Sequence, residues 1–272
     1  MNPKRVFGIG ISSLTAVLLI SCTTEPITGR RQLNLVGEGQ EMQLGISEFE
    51  KLKQSTPISR DPTVNEMVKR VGNKIAASAA NDLPNAEWEF VVFESKEANA
   101  FCLPGGKVGV FTGILPITQN EAGLATVLGH EVAHAAAHHG AERMSHALAA
   151  QAGGQIAGIA LSSASPMWQS AAALAYPTLA QVGVLLPYSR KQESTADRIG
   201  LSYMARAGYD PAEAVKFWQR FAEYNQSRGG KGTPSFLSTH PLDEARIKQI
   251  QSWLPEVQNE YKTSPVTAPA KR

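Results

Sequence analysis

Apolar residues recur at helical spacing from Gly37 to Gln54, where Met42, Ile46, Phe49 and Leu52 fall on one face, and Pro57 closes the run. A second helix opens at Asp61-Pro62, a capping residue followed by a proline at the first helical position, with Val64, Met67, Val68, Val71 and Ile75 as its apolar stripe. The period then changes. Trp88 to Phe93 is rich in aromatic and β-branched residues and reads as a strand, followed by Ala100 to Leu103 and Val108 to Thr112, and Pro104-Gly105-Gly106 between the last two should make a hairpin or tight turn. Gln119 to His139 is a proline-free helical run rich in Ala, Leu and Val. Beyond it, Met144 to Ser189 contains no Asp, Glu, Lys or Arg. Two small-residue helices broken near Pro166 are expected there. A membrane hairpin is disfavoured by Gln151, Gln155, Gln169 and Gln181 and by the lack of basic flanks. Tyr188 to Arg198 should be a further helix, and Pro241 should start a last one from Leu242 to Trp253. The fold class is α+β, mostly helical, with a small sheet.

The formal net charge of +2 gives no electrostatic case for a nucleic-acid partner. The first residues stand apart. Lys4 and Arg5 precede an uncharged run, Val6 to Ile20, which is too short to span a bilayer comfortably and reads as a secretory leader, residues 1–21. Leu19-Ile20-Ser21-Cys22 resembles the bacterial lipobox, which implies that Cys22 is lipidated and begins the mature chain. Thr23 rather than an aspartate follows, so an outer-membrane lipoprotein facing the periplasm of a Gram-negative bacterium is expected. Residues 22–36 should be a lipidated tether, 37–254 the folded domain and 255–272 a flexible tail. With Cys22 acylated, Cys102 has no disulfide partner; flanked by Phe101 and Leu103, it reads as a buried small hydrophobe.

The chemistry centres on His130-Glu131-Val132-Ala133-His134. Residues four apart share a helix face, so His130 and His134 can aim two imidazoles at one metal ion. Glu131, one step round, can reach a metal-bound water as general base. A catalytic zinc takes three protein ligands and one open position, and Glu193 would complete a His2Glu set. Asp197, one turn beyond Glu193, is placed to accept the outer N–H of a ligand histidine and fix its tautomer.

With those residues in place, the chain resembles the M48 family of zinc metallopeptidases of the gluzincin type, from about Asn99 to Arg246. Asn99 to Gly106 with Val110 to Gly113 resembles the strand and turn that precede the family's zinc helix. His130, Glu131 and His134 match its HExxH, Glu193 and Asp197 its ExxxD, and Ser238-Thr239-His240-Pro241 with Arg246 its downstream motif. The resemblance implies a zincin-like domain with a small sheet beside the HExxH helix, and one zinc ion per chain held by His130, His134 and Glu193. It is greatest to the stand-alone bacterial lipoprotein members, which are themselves similar to the catalytic domain of periplasmic outer-membrane quality-control members and of the mitochondrial inner-membrane member. No helical-repeat domain is expected after Arg246.

The resemblance also gives His240 a role at the site, as donor to the oxyanion or as an inhibitory fourth ligand. Ser227 to Gly232 would be the loop that lets it move. His138 reads as a polar helix-end residue, and His139 is near the motif without an assigned role. An edge strand at Asn99, Ala100 and Phe101 could pair with an extended substrate, or the sheet could only pack the zinc helix. The expected function is a zinc metalloendopeptidase acting on misfolded or misassembled envelope proteins. The alternatives are a chaperone or assembly factor for outer-membrane proteins with latent protease activity, and a hydrolase of a non-peptide substrate. Expected partners are polypeptide substrates, the membrane through lipid on Cys22, and the outer-membrane assembly machinery or a second copy of the chain.

Overall fold

The computed structural model of the chain describes residues 22–24, 28–161, 186–228 and 234–264. In chain order its elements are β1 (Cys22–Thr24), β2 (Arg31–Leu33), α1 (Glu38–Ser55), α2 (Pro62–Ser78), β3 (Glu89–Phe93), β4 (Ala100–Leu103), β5 (Lys107–Phe111), a 3-10 turn (Thr112–Ile114), α3 (Leu115–Thr118), α4 (Glu121–Ala136), α5 (His139–Leu161), α6 (Leu186–Arg206), α7 (Glu213–Ser227), α8 (Ser235–Thr239) and α9 (Glu244–Thr263). The expected leader, the break near Pro166 and most of the Ser227 to Gly232 loop lie outside the described residues. Two compact units divide the chain: residues 1–38 with 140–187, and residues 39–139 with 188–272.

In the first unit β1 and β2 pair antiparallel, Cys22 opposite Leu33. The stretch expected to be a plain tether therefore carries a small ladder. It is also fastened: Arg30 forks onto Glu142 of α5 through two hydrogen bonds of 2.8 Å, a charge-assisted pair, and the Leu35 N–H donates to Ser145 Oγ at 2.7 Å.

In the second unit β5 lies at the centre of a three-stranded sheet ordered β3-β5-β4, parallel to β3 and antiparallel to β4. The β4–β5 hairpin turns through Gly105 and Gly106, whose φ values of 86° and 79° favour glycine. Alternation along β4 sends Ala100 and Cys102 into the main core with Val110, Leu124 and Leu128, and Phe101 to the opposite face. There Phe101 meets Phe49 of α1 at a ring separation of 6.2 Å, in a small cluster with Phe93 and Phe111. The buried side of α1 runs through Glu41, Gly45 and Phe49, one residue round from the Met42 and Ile46 stripe. Gly45 explains the offset: a Cβ there would sit 2.5 Å from the Pro104 carbonyl oxygen, so the helix presses its bare backbone onto the hairpin. α2 is capped as expected, with Asp61 accepting from the Thr63 N–H at 2.9 Å.

α4 is the centre of the unit, with every residue from Gly123 to Ala136 buried. It is shorter than the Gln119 to His139 run. Asn120 caps it by accepting from the Gly123 N–H at 2.8 Å, and both Gln119 (φ 61°) and His138 (φ 52°) are left-handed, so the chain leaves the helix and restarts as α5. The last helix is displaced in the other direction. α9 is capped by Asp243, which accepts from the Arg246 N–H at 2.8 Å, and runs through Pro255 to Thr263, past Trp253, so residues 255–263 are helix rather than tail. Proline removes one helix hydrogen bond at position 255; just beyond it Val257 is fully buried and Glu256 pairs with Arg198 at 2.6 Å. Among the described residues no helix is long and apolar enough to cross a membrane.

α4 and α6 touch backbone to backbone at Gly129 and Gly200. A Cβ on Gly200 would lie 2.9 Å from the His130 nitrogen and 3.0 Å from the Gly129 carbonyl carbon. Neither atom can move without shifting a helix. Gly200→Ala is therefore expected to cost about 1–3 kcal/mol in equilibrium urea unfolding, as overpacking of a tight interior does. An unchanged midpoint would show that the two helices are not in forced contact.

Candidate metal centre

Two helices and one loop bring the polar groups together. His130 and His134 lie one turn apart on α4, and their Nε2 atoms are 3.0 Å from each other. Glu193 on α6 faces both, with Oε2 3.3 Å from His130 Nε2 and Oε1 3.2 Å from His134 Nε2. His240, which follows α8, puts Nδ1 3.2 Å from His130 Nε2 and 3.0 Å from Glu193 Oε1. All four side chains are buried, with ligand atoms within 4.8 Å of one another, a set that could hold a metal ion. Glu131 is also buried, and its Oε1 lies 3.4 Å from His240 Nε2.

Behind these groups stands an ionic layer. The His130 Nδ1–H donates to Asp197 Oδ1 at 2.9 Å, the contact expected from the Glu193 and Asp197 spacing. Arg246 forks onto Asp197 through Nε (2.6 Å) and Nη2 (2.9 Å), and its Nη1 lies 2.8 Å from Glu193 Oε2. The guanidinium stacks over Trp218 at 4.0 Å from the ring centroid. Phe236 continues the apolar floor, stacked on Trp218 at 5.9 Å and against His240 at 4.5 Å. The Phe236 N–H donates to the Ala98 carbonyl at 3.2 Å, which ties the His240 segment to the chain just before β4.

The electrostatics fit a cation. Burial pushes Asp197 up, but the Arg246 charge outweighs it and holds the carboxyl below its usual range. Burial likewise opposes ionisation of Glu193, and His134 and His130 hold it well below the usual carboxylate range. Desolvation drives His134 well down, whereas hydrogen bonds to Asp197 and Glu193 overcome desolvation at His130 and carry it up to about 9. Glu131, Glu193 and Asp197 are three buried carboxylates facing one buried guanidinium. The proton drawn onto His130 answers that excess of negative charge, and a divalent cation among these donors would answer it more fully.

Each residue assigned to the site from sequence alone takes its place in this cluster except three at β4 and one at the amino terminus. Asn99, Ala100 and Phe101 lie at and before the start of edge strand β4, and Cys22 belongs to β1. Cys102 is buried as expected, and burial first and then the Glu131 charge push its thiol upward; β4 packs against α4, the helix that carries Glu131. Arg246 gained only a motif match from sequence, and Trp218, Phe236 and His139 gained no role. The crowded aromatics Phe217, Trp218 and Phe221 on α7 were the available signal for the floor.

A buried pair of helix histidines faced by a glutamate from a second helix, in a mostly helical α+β domain, defines a zincin-like metal-dependent hydrolase. The chain belongs to peptidase family M48, whose family model matches residues 62–254. It is similar to the mitochondrial metalloendopeptidase OMA1 of Schizosaccharomyces pombe, 37% identical over 247 residues covering 88% of this chain and 68% of that protein. The Saccharomyces cerevisiae protein of the same name is 34% identical over 254 residues, covering 88% of this chain and 71% of its own. The beta-barrel assembly-enhancing protease of Escherichia coli K12 is 30% identical over 251 residues, which are 91% of this chain but 50% of that protein. The protein is accordingly a metalloendopeptidase.

Two measurements test the electrostatic account. Arg246→Leu strands Asp197 and Glu193 in the core and should cost the metal-free protein about 3–5 kcal/mol in urea unfolding, the range for breaking a buried ion pair. A wild-type midpoint would refute the role given to Arg246. Because His130 is held protonated up to about 9, metal uptake at neutral pH must displace its proton. Calorimetric titration in buffers of different ionisation enthalpy should detect that release, with apparent affinity tightening as pH rises toward 9. Affinity independent of pH would contradict it.

Proposed function

We propose that this chain is a zinc-dependent endopeptidase that cleaves misfolded or misassembled envelope proteins, held by lipid on Cys22 at the periplasmic face of the outer membrane. The observation that carries the catalytic part is the convergence of His130, His134 and Glu193 on one buried point with Glu131 beside it. Those three side chains would hold one zinc ion and leave a position for water or substrate. When bound, zinc supplies Lewis-acid polarisation of the scissile carbonyl and lowers the pKa of water. Glu131 takes the proton of the attacking water and returns it to the departing amine nitrogen. Asp197, holding the outer N–H of His130 at 2.9 Å, fixes which ring nitrogen is left to ligate.

His240 is the gate in this reading. Its Nδ1 lies among the ligand atoms, which supports the role of inhibitory fourth ligand, and its Nε2 side faces Glu131. An extended polypeptide would add to the sheet at Asn99, Ala100 and Phe101, since β4 is an edge strand and packs against α4, the helix that carries Glu131. The envelope address is supported by the leader-like residues 1–21, by Cys22, and by similarity to a protein named for beta-barrel assembly. The outer-membrane assembly machinery or a second copy of the chain would be its partners. That same name supports a second reading, in which the chain works as a chaperone or assembly factor for outer-membrane proteins with secondary protease activity.

Glu131→Gln is expected to keep the fold and the zinc but lower turnover of an unfolded protein substrate by about 10²–10⁴-fold, the range for loss of a positioned general base. Full activity in that variant would sink the mechanism. Full rescue of a deletion strain by the same variant would move the function to the second reading.

A further inference from the structure

The two ligand histidines on α4 are supported from behind by different residues. Asp197 stands behind His130. Behind His134 stands His139: its Nδ1 lies 2.8 Å from His134 Nδ1, the ring nitrogen that faces away from Glu193 and His130. The two rings meet edge to face at 4.8 Å, and His139 is 1% exposed.

The chain does something unusual to bring His139 there. α4 ends at Ala136, and His138 adopts a left-handed φ of 52°, a conformation non-glycine residues seldom take without reason. Glu41 of α1, itself 3% exposed, holds His138 on the far side through a 2.8 Å contact with its Nδ1. The reversal at His138 turns the next side chain back toward the helix it has just left. The His139 carbonyl is tied as well, accepting from Gln192 Nε2 at 3.4 Å, and Gln192 immediately precedes Glu193.

We infer that His139 is a positioning residue for the metal site, accepting the Nδ1–H of His134 so that His134 Nε2 is held bare and aimed at the centre. The inference rests on the reading of His130, His134 and Glu193 as zinc ligands. The chemistry dictates the tautomers. A neutral imidazole that ligates through Nε2 carries its proton on Nδ1, and that N–H needs an acceptor. His139 supplies one only with Nδ1 unprotonated and its own proton on Nε2.

The test uses the full chain with zinc alone as ligand. His139→Leu, which removes the acceptor, should weaken zinc affinity by about 10- to 100-fold in competition with a fluorescent chelator, the usual cost of losing a hydrogen bond behind a ligand. It should also alter the visible spectrum of the cobalt(II)-substituted protein. His139→Asn, whose side-chain oxygen can take the place of Nδ1, should stay close to the unsubstituted protein in both. Unchanged affinity and spectrum in His139→Leu, or equal losses in the two variants, overturn the inference. Should His139→Leu not fold, ring-nitrogen NMR of the unsubstituted zinc-loaded protein decides: His134 protonated at Nδ1 and His139 protonated at Nε2 are expected, and a His139 proton on Nδ1 overturns it. Unsubstituted protein that binds zinc no better than His134→Ala would instead remove the ligand reading itself, a separate failure.

Discussion

Ionisable groups that water cannot reach must be neutralised from within, and in this protein the task falls to Arg246. Removing a carboxylate from water costs several kcal/mol even after the protein relaxes, and Glu131, Glu193 and Asp197 are all buried. Arg246 spends its Nε and Nη2 on Asp197 and directs Nη1 to Glu193. Its flat face rests on Trp218, so the cation is packed as well as paired. Everything nearer the centre follows from that one guanidinium. Asp197 stays ionised because of it, His130 is oriented because Asp197 is ionised, and the His130 Nε2 points at Glu193 because its Nδ1 is occupied.

The apolar surroundings do the complementary work of fixing distances. Trp218, Phe221 and Phe236 form a stacked floor that joins α7 to α8. Phe236 carries two jobs, touching the His240 ring and bonding through its N–H to Ala98 ahead of β4. A displacement of His240 is thereby linked to the sheet edge proposed for an extended polypeptide. On the other side, the bare backbones of Gly129 and Gly200 set how near the Glu193 helix can come to the histidine helix. Binding geometry at the centre is thus decided by groups that would not themselves ligate a metal, as preorganised sites require.

What could be read from the sequence was what repeats at short range. His130 and His134 share a face by spacing alone, Glu193 and Asp197 likewise, and Asp61-Pro62 and the Pro104-Gly105-Gly106 turn announce themselves locally. What could not be read depends on partners far along the chain. β5 pairs in parallel with β3 and is buried along its whole length, and a five-residue strand advertises neither. The buried face of α1 shifted because Gly45 meets Pro104, and α9 passes Pro255 because Val257 has a core to enter. Arg246 matched a motif, but its place in the first turn of a helix says nothing of its partner, and only the fold sets it against Asp197. His139 was hidden for a different reason: continuing the α4 helix through it points the ring elsewhere, and the reversal at His138 cannot be foreseen from residue type.

The unequal support of the two α4 histidines also makes electrostatic sense. A carboxylate behind His134, matching Asp197 behind His130, would add a fourth buried negative charge to a cluster that has three, and Arg246 is the guanidinium that reaches them. A neutral imidazole can accept the same N–H without adding charge. His139 therefore gives His134 direction at no electrostatic cost, and the single arginine remains sufficient. The charge left over, two units negative once Arg246 is counted against the three carboxylates, is what a divalent ion among His130, His134 and Glu193 would neutralise.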